Sequence, residues 1–297
     1  MEITTLIYFP DFEEPAVRLA EALGCVAVRM GLHHFPDGES LVRLPARLNG
    51  DVIIYVSLDH PDSKLVPLGF AAATARDLGA STVNLVAPYL CYMRQDMAFN
   101  PGEAVSQRIV GHWLDQWFDT VFTVDAHLHR VHSIRDVVPC GVNISAAPLM
   151  AEFLRQRGGQ PILLGPDEES LQWVQEIGTL AGLDFGVATK KRYGDRDVEI
   201  ALPDMDFRDR EVIIVDDVLS SGFTVAGTAT QVVDSGASRV QCMVTHALFA
   251  PGAEKLLEDS GVERVISTDT IIHHSNSIYM ASGLALALRE HVPASGQ

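Results

Sequence analysis

The chain reads as an α/β protein with two tandem domains, each a mainly parallel sheet flanked by helices. Three observations lead there. Short aliphatic runs alternate with longer helix-compatible segments along all 297 residues, the cadence of βαβ units. The cadence occurs twice: DVIIYVSL (51–58), TVNLVAPYL (82–90) and TVFTVDAH (120–127) in the first half, then EVIIVDDV (211–218), RVQCMVTHALF (239–249) and RVISTDTI (264–271) in the second. Two alanine-rich segments match as well, LGFAAATARDLGAS (68–81) and VAGTATQVVDSGAS (225–238), and their shared Gly-Ala-Ser endings suit a helix C-cap.

The connection between the halves is CGVNISAAP (140–148), followed by a helical LMAEFLRQRGG and the strand PILLGPD. The expected domains are therefore 1–144 and 145–297. In open α/β sheets, ligands bind beyond the carboxyl ends of the strands, so polar residues there are the first candidates for a site.

Composition narrows the function. A formal net charge of −17 argues against a nucleic-acid or anionic-membrane surface, because both need a basic footprint. The four cysteines show no C-x-x-C spacing, and no basic-then-apolar leader opens the chain, so a cytoplasmic location is expected. No apolar run is long enough to cross a bilayer. Against this acidic background one dense basic cluster stands out, TKKRYGDR (189–196). It is either a solvated loop or a local set of cations for an anionic ligand.

The most informative stretch is VIIVDDVLSSGFT (212–224). Four aliphatic residues read as a strand buried on both faces, and they run straight into Asp216 and Asp217. Ser220, Ser221, Gly222, Phe223 and Thr224 then open a helix whose N–H groups and hydroxyls suit a phosphate. An N-capping serine alone would explain Ser220 or Ser221, but not the acidic pair at the end of a buried strand. The acids can accept sugar hydroxyls or hold Mg²⁺.

This loop resembles the phosphoribosyl diphosphate loop of the type I phosphoribosyltransferase fold. FPDGES (35–40), PYLCYMRQD (88–96), VDAHLH (124–129), GPDEES (165–170) and TKKR (189–192) accompany it in order. Together these blocks resemble the ribose-phosphate diphosphokinase family, with a short RQDMAFNPGEAVS (94–106) similar to archaeal-type members. No G-x-x-x-x-G-K-[ST] occurs, in keeping with that family.

The resemblance implies transfer of diphosphate from ATP to the C1 hydroxyl of ribose 5-phosphate, with Mg²⁺ as cofactor and AMP as the second product. It implies Lys190 and Arg192 as the catalytic cations of a mobile loop, with Lys191 the alternative to Lys190. Arg94, Gln95 and Asp96 correspond to nucleotide contacts, and Phe35, Asp37 and Glu39 to contacts that a neighbouring subunit provides, so a homo-oligomer is implied. His127 and Asp167 correspond to metal ligands, while the loop from Asp216 to Thr224 holds the ribose 5-phosphate. Read without the family, FPDGE is a turn with solvated acids and His127 a polar residue near a strand end. His129 and His132 are expected to be ordinary surface residues.

Three departures from the family pattern change the charge or metal-pairing groups near the anionic substrates. Ser220 stands where a third acid is usual, beside a bulky Phe223. Glu168 and Glu169 follow Asp167 where two glycines are common, and RQDMAF lacks the basic residues of many bacterial members. These changes leave two alternatives: a silent nucleotide-binding regulatory subunit of the same family, or a phosphoribosyltransferase. A related phosphosugar acceptor also stays open.

Overall fold

The computed structural model describes residues 3–128, 131–192 and 198–291, without the side chains of residues 3, 4, 190–192, 198 and 199. The chain divides into two units, 1–145 with 280–297, and 146–279.

The first unit runs β1 (Ile3–Tyr8), α1 (Glu13–Leu23), β2 (Val26–Arg29), an antiparallel hairpin of β3 (Gly31–His34) and β4 (Ser40–Arg43), then β5 (Asp51–Tyr55), α2 (Asp62–Asp77), β6 (Thr82–Val86), α3 (Ser106–Trp117), β7 (Thr120–Val124) and β8 (Gly141–Ile144). Its six-stranded sheet has the order β2-β1-β5-β6-β7-β8, every pair parallel.

The second unit opens with α4 (Ala147–Arg157) and repeats the pattern. It continues through β9 (Ile162–Gly165), α5 (Leu171–Ala181), β10 (Phe185–Val187), the hairpin of β11 (Thr189–Arg192) and β12 (Val198–Ala201), β13 (Glu211–Leu219), α6 (Phe223–Asp234), β14 (Arg239–Ala247), α7 (Ala253–Asp259), β15 (Val262–Thr268) and β16 (Asn276–Ile278). The order β10-β9-β13-β14-β15-β16 is that of the first sheet, strand for strand, and again all parallel. This is the α/β architecture of two parallel sheets flanked by helices that the sequence predicts.

The reason lies in the strands. Helices cover both faces of a parallel sheet, so its strands read as unbroken aliphatic runs. Val52 to Ile54 and Val212 to Val215 are fully buried accordingly. Both alanine-rich helices stop where the sequence places the stop, with Gly79 at φ 105° and Gly236 at φ 87° just past their ends. Their N–H groups turn back to Arg76 and Val233 carbonyls.

The last helix, α8 (Ala281–His291), departs from the division at 144/145. It packs on α1 and reaches β8, and the Arg289 guanidinium donates to the Ala22 carbonyl, all within the first unit. In the second unit α4 packs on α5 and reaches β16 in the same manner. Each repeat needs one more apolar helix face against its first helix. The second repeat takes that face from its own start, and the first takes it from the chain's end.

Candidate functional site

At the carboxyl ends of the neighbouring strands β9 and β13 three acids converge. Glycine is required at Gly165, because a Cβ there would lie 2.3 Å from Ser170 Oγ and 2.7 Å from Val187 Cγ1. The chain therefore turns tightly into Asp167, which caps a single 3₁₀ turn: its Oδ1 accepts from the Glu169 N–H at 3.2 Å, and Ser170 Oγ donates to its carbonyl at 2.6 Å. Glu168 and Glu169 are exposed.

On β13, Asp217 is buried and its Oδ1 accepts from the Val218 N–H, while Asp216 Oδ1 accepts from the Asp217 N–H. Burial raises the Asp216 pKa well above the usual carboxylate range, and the negative charges of Asp217 and Asp167 raise it further. The predicted metal ligand Asp167 and the predicted sugar acids thus share one electrostatic site.

Beyond the acids, Gly222 sits at φ 77° as the residue before α6, a left-handed conformation that glycine adopts without strain. No side chain caps this helix, and its first-turn N–H groups have no intrahelical carbonyl to donate to. Ser221 is exposed, Ser220 and Thr224 are partly exposed, and Phe223 is 72% exposed. The loop is pinned from behind, where Ala250 N–H donates to the Ser220 carbonyl and Leu248 N–H to the Leu219 carbonyl. Acids, partly exposed hydroxyls and an uncapped helix N-terminus therefore follow one another at one strand end, a set that suits a polyhydroxylated phosphate ester.

In the first unit the equivalent strand ends carry the other candidates. Arg94 is exposed, Gln95 is partly buried and Asp96 is buried, all on the loop after β6. Ser106 Oγ donates to Gln95 Oε1 at 2.6 Å. Tyr92, at φ 60°, holds this loop to α2 by donating its phenol proton to Asp62, and this bond, with burial, pushes the Tyr92 pKa up to about 12. The short loop closes on Glu103, which accepts from the N–H groups of Phe99 and Asn100 and from the Asn100 amide.

His127 follows the adjacent strand β7, partly buried. Phe35, Asp37 and Glu39 form the exposed turn of the β3–β4 hairpin, closed by the Phe35 N–H to Glu39 carbonyl bond at 2.8 Å. Glu39 lines a groove of about 480 Å³ with His34, Asp62, Ser63 and Phe70, and neither Arg94 nor His127 lines it. His132 is exposed. The backbone of Lys190 and Arg192 forms β11, paired with Ile200 and Val198, while their side chains, residues 193–197 and His129 lie outside the described residues.

Sequence reasoning missed a buried polar cluster at the ends of β14 and β15. His246 Nδ1 lies 2.9 Å from Thr270 Oγ1, and the Thr268 and Thr270 hydroxyls both donate to the Thr245 carbonyl. The signal was present in VTHA and STDT, polar residues at strand ends, the same rule that singles out Asp216.

Paired parallel sheets of identical order, one ending in an acid-hydroxyl loop, define a tandem protein of the phosphoribosyltransferase type. The family model described as phosphoribosyl transferase domain matches residues 142–281, and that of the N-terminal domain of ribose phosphate pyrophosphokinase matches residues 6–117. The ribose-phosphate pyrophosphokinase of Methanopyrus kandleri is 34% identical over 274 residues, 91% of this chain and 94% of that protein. That of Methanothermobacter thermautotrophicus is 32% identical, covering 86% and 90%. The solved phosphoribosylpyrophosphate synthetase of Mycobacterium smegmatis shares the fold at a TM-score of 0.80 and 20% identity, covering 96% and 98%. The chain belongs to the ribose-phosphate pyrophosphokinase family of enzymes.

Proposed function

We propose that this enzyme transfers diphosphate from ATP to the C1 hydroxyl of ribose 5-phosphate with Mg²⁺ as cofactor. The hydroxyl oxygen bonds to the β-phosphorus, the bond to the α-phosphate oxygen breaks, and AMP leaves. The observation that carries this reading is the convergence of Asp167, Asp216 and Asp217 beside the uncapped α6 N-terminus. In this family that arrangement supports a sugar phosphate on Ser220 to Thr224, with the ribose hydroxyls donating to Asp216 and Asp217.

The same acids fit the metal. The negative charges of Asp217 and Asp167 beside Asp216 favour a nearby cation, and carboxylate oxygens suit a hard divalent ion. Asp167 would supply a carboxylate oxygen to it, and His127 is the further ligand that the family resemblance implies. Bound Mg²⁺ neutralises charge on the transferring diphosphate. Lys190 and Arg192 stabilise the charge that develops on the phosphoryl oxygens, and Arg94, Gln95 and Asp96 orient the nucleotide. Phe35, Asp37 and Glu39 lie exposed on their turn, in keeping with a contribution to the nucleotide site of a second copy.

The test is ³¹P NMR of the protein with Mg²⁺, ATP and ribose 5-phosphate, beside Lys190→Ala and a sample without sugar. Sugar-dependent AMP and a new diphosphate-ester signal, both lost in Lys190→Ala, are expected. Lys191→Ala should stay within a few-fold of wild type, whereas loss of Lys190 costs a factor on the order of 10³. Unchanged ATP together with calorimetric ATP binding would instead establish the silent-subunit reading, for which the changes at Ser220 and Glu168 are the motive.

A further inference from the structure

Two adjacent histidines on the loop after β15 face a glutamate on α7. His274 Nε2 lies 3.2 Å and His273 Nε2 3.6 Å from Glu254 Oε1, and the three ligand atoms all lie within 4.8 Å of one another. Two imidazoles and a carboxylate at this spacing have a chemical meaning. Ligands about 2.0–2.2 Å from a tetrahedral ion sit roughly 3.4 Å apart along each edge, so both nitrogen-to-oxygen pairs are near their bound separation. His274 is exposed, and a small rotation of its ring closes the third edge.

The surroundings hold His273 as a ligand is held. Its Nδ1 lies 2.8 Å from Ser275 Oγ and 3.3 Å from the Ser275 N, and Ser275 Oγ lies 2.7 Å from Ser267 Oγ, so the ring is anchored through Nδ1 and its Nε2 edge is turned to Glu254. Phe249 stacks on the ring at 4.4 Å and 22°. Asn276 fixes the loop, accepting from the His273 N–H and donating to the Thr268 and Ile271 carbonyls.

We propose that Glu254, His273 and His274 form a binding site for a late first-row divalent cation of the Zn²⁺ class, separate from the carboxylate site at Asp167, Asp216 and Asp217. Imidazole donors select such ions over Mg²⁺, which prefers oxygen. Three protein ligands leave the fourth position to water. An ion here ties α7 to the loop after β15. Phe249 also joins it to the segment whose Ala250 N–H holds the sugar loop from behind.

The experiment uses the metal-stripped full-length protein, titrated with Zn²⁺ against a chromophoric chelator, and with Co²⁺ read by its visible ligand-field bands. One equivalent is expected to bind, undisplaced by excess Mg²⁺ and retained in Asp216→Asn. Affinity should be lost in His274→Ala, whose position is 76% exposed and spares the fold, and in Glu254→Gln. Ser275→Ala should weaken it by about 10-fold through the orienting hydrogen bond alone. Absence of binding in the wild type, displacement by Mg²⁺, or an affinity unchanged in both His274→Ala and Glu254→Gln would overturn the proposal.

Discussion

The two units share one strand order, yet their central strand ends differ in chemistry. Near the end of β13 stand Asp216 and Asp217, while the matching positions just past β5 are Val56 and Ser57, both buried. The first unit also plugs its own helix entrance. Lys64, at the start of α2, donates to the Ser57 carbonyl at 2.9 Å, pairs with Asp59 at 2.8 Å and lies over the Phe12 ring. At the start of α6 there is no lysine and no side-chain cap. A duplicated scaffold thus offers the same strand-end geometry twice. One copy occupies it with the internal Lys64–Asp59 ion pair, and the other presents acids and hydroxyls there instead.

The largest effect expected from breaking this asymmetry is on turnover. Asp217→Asn should lower kcat/KM for sugar-dependent AMP formation by a factor on the order of 10² to 10³, while Ser57→Ala changes it only a few-fold. Equal losses would mean that both strand ends serve the reaction. The matching change at Asp216 adds a stability signature. Its carboxyl pKa is raised in the folded state, so the native protein binds the proton more tightly, and stability falls as pH rises from the ordinary carboxylate range through the raised value. In metal-free buffer, Asp216→Asn should therefore melt above wild type at neutral pH, with the gap closing near pH 4. A melting curve unchanged by the substitution at either pH would remove the electrostatic account of the site.

Backbone packing sharpens the comparison next. Gly165→Ala pushes a methyl group into Ser170 and Val187 and should cost about 1–3 kcal/mol by urea unfolding. Tyr8 ends the equivalent strand β1, so the first unit tolerates a large side chain there. Lys64→Met should cost about 1–2 kcal/mol, because Asp59 keeps its charge in a partly buried place without its partner. If the melting temperature does not move, the first unit's cation is ornamental. The smallest change expected is Tyr92→Phe, about 1 kcal/mol or less, with a modest rise in the KM for ATP as the loop after β6 loosens from Asp62.

Much of this fold was open to reading because its signals are local. Continuous aliphatic runs mark strands buried on both faces, and Gly79 and Gly236 mark helix ends through backbone conformations that other residues rarely adopt. The acid-hydroxyl loop was legible for the same reason, since Asp216 to Thr224 occupy nine consecutive positions at one strand end. Its partner Asp167 could be named only through family resemblance. That it raises the Asp216 pKa follows from β9 lying beside β13, 49 residues away along the chain.

What tertiary structure alone decided shares that character. The return of α8 to the first unit depends on an apolar face of α1 far away in sequence. The pairing of Tyr92 with Asp62 and the meeting of Glu254 with His273 and His274 likewise join a loop to a helix that follows a different strand. A single sequence states which residues are apolar, flexible or charged, and so determines strands, helix ends and the composition of each loop. Which loops face one another is set by the order of strands in the sheet, and that order comes from packing both faces of the whole sheet at once.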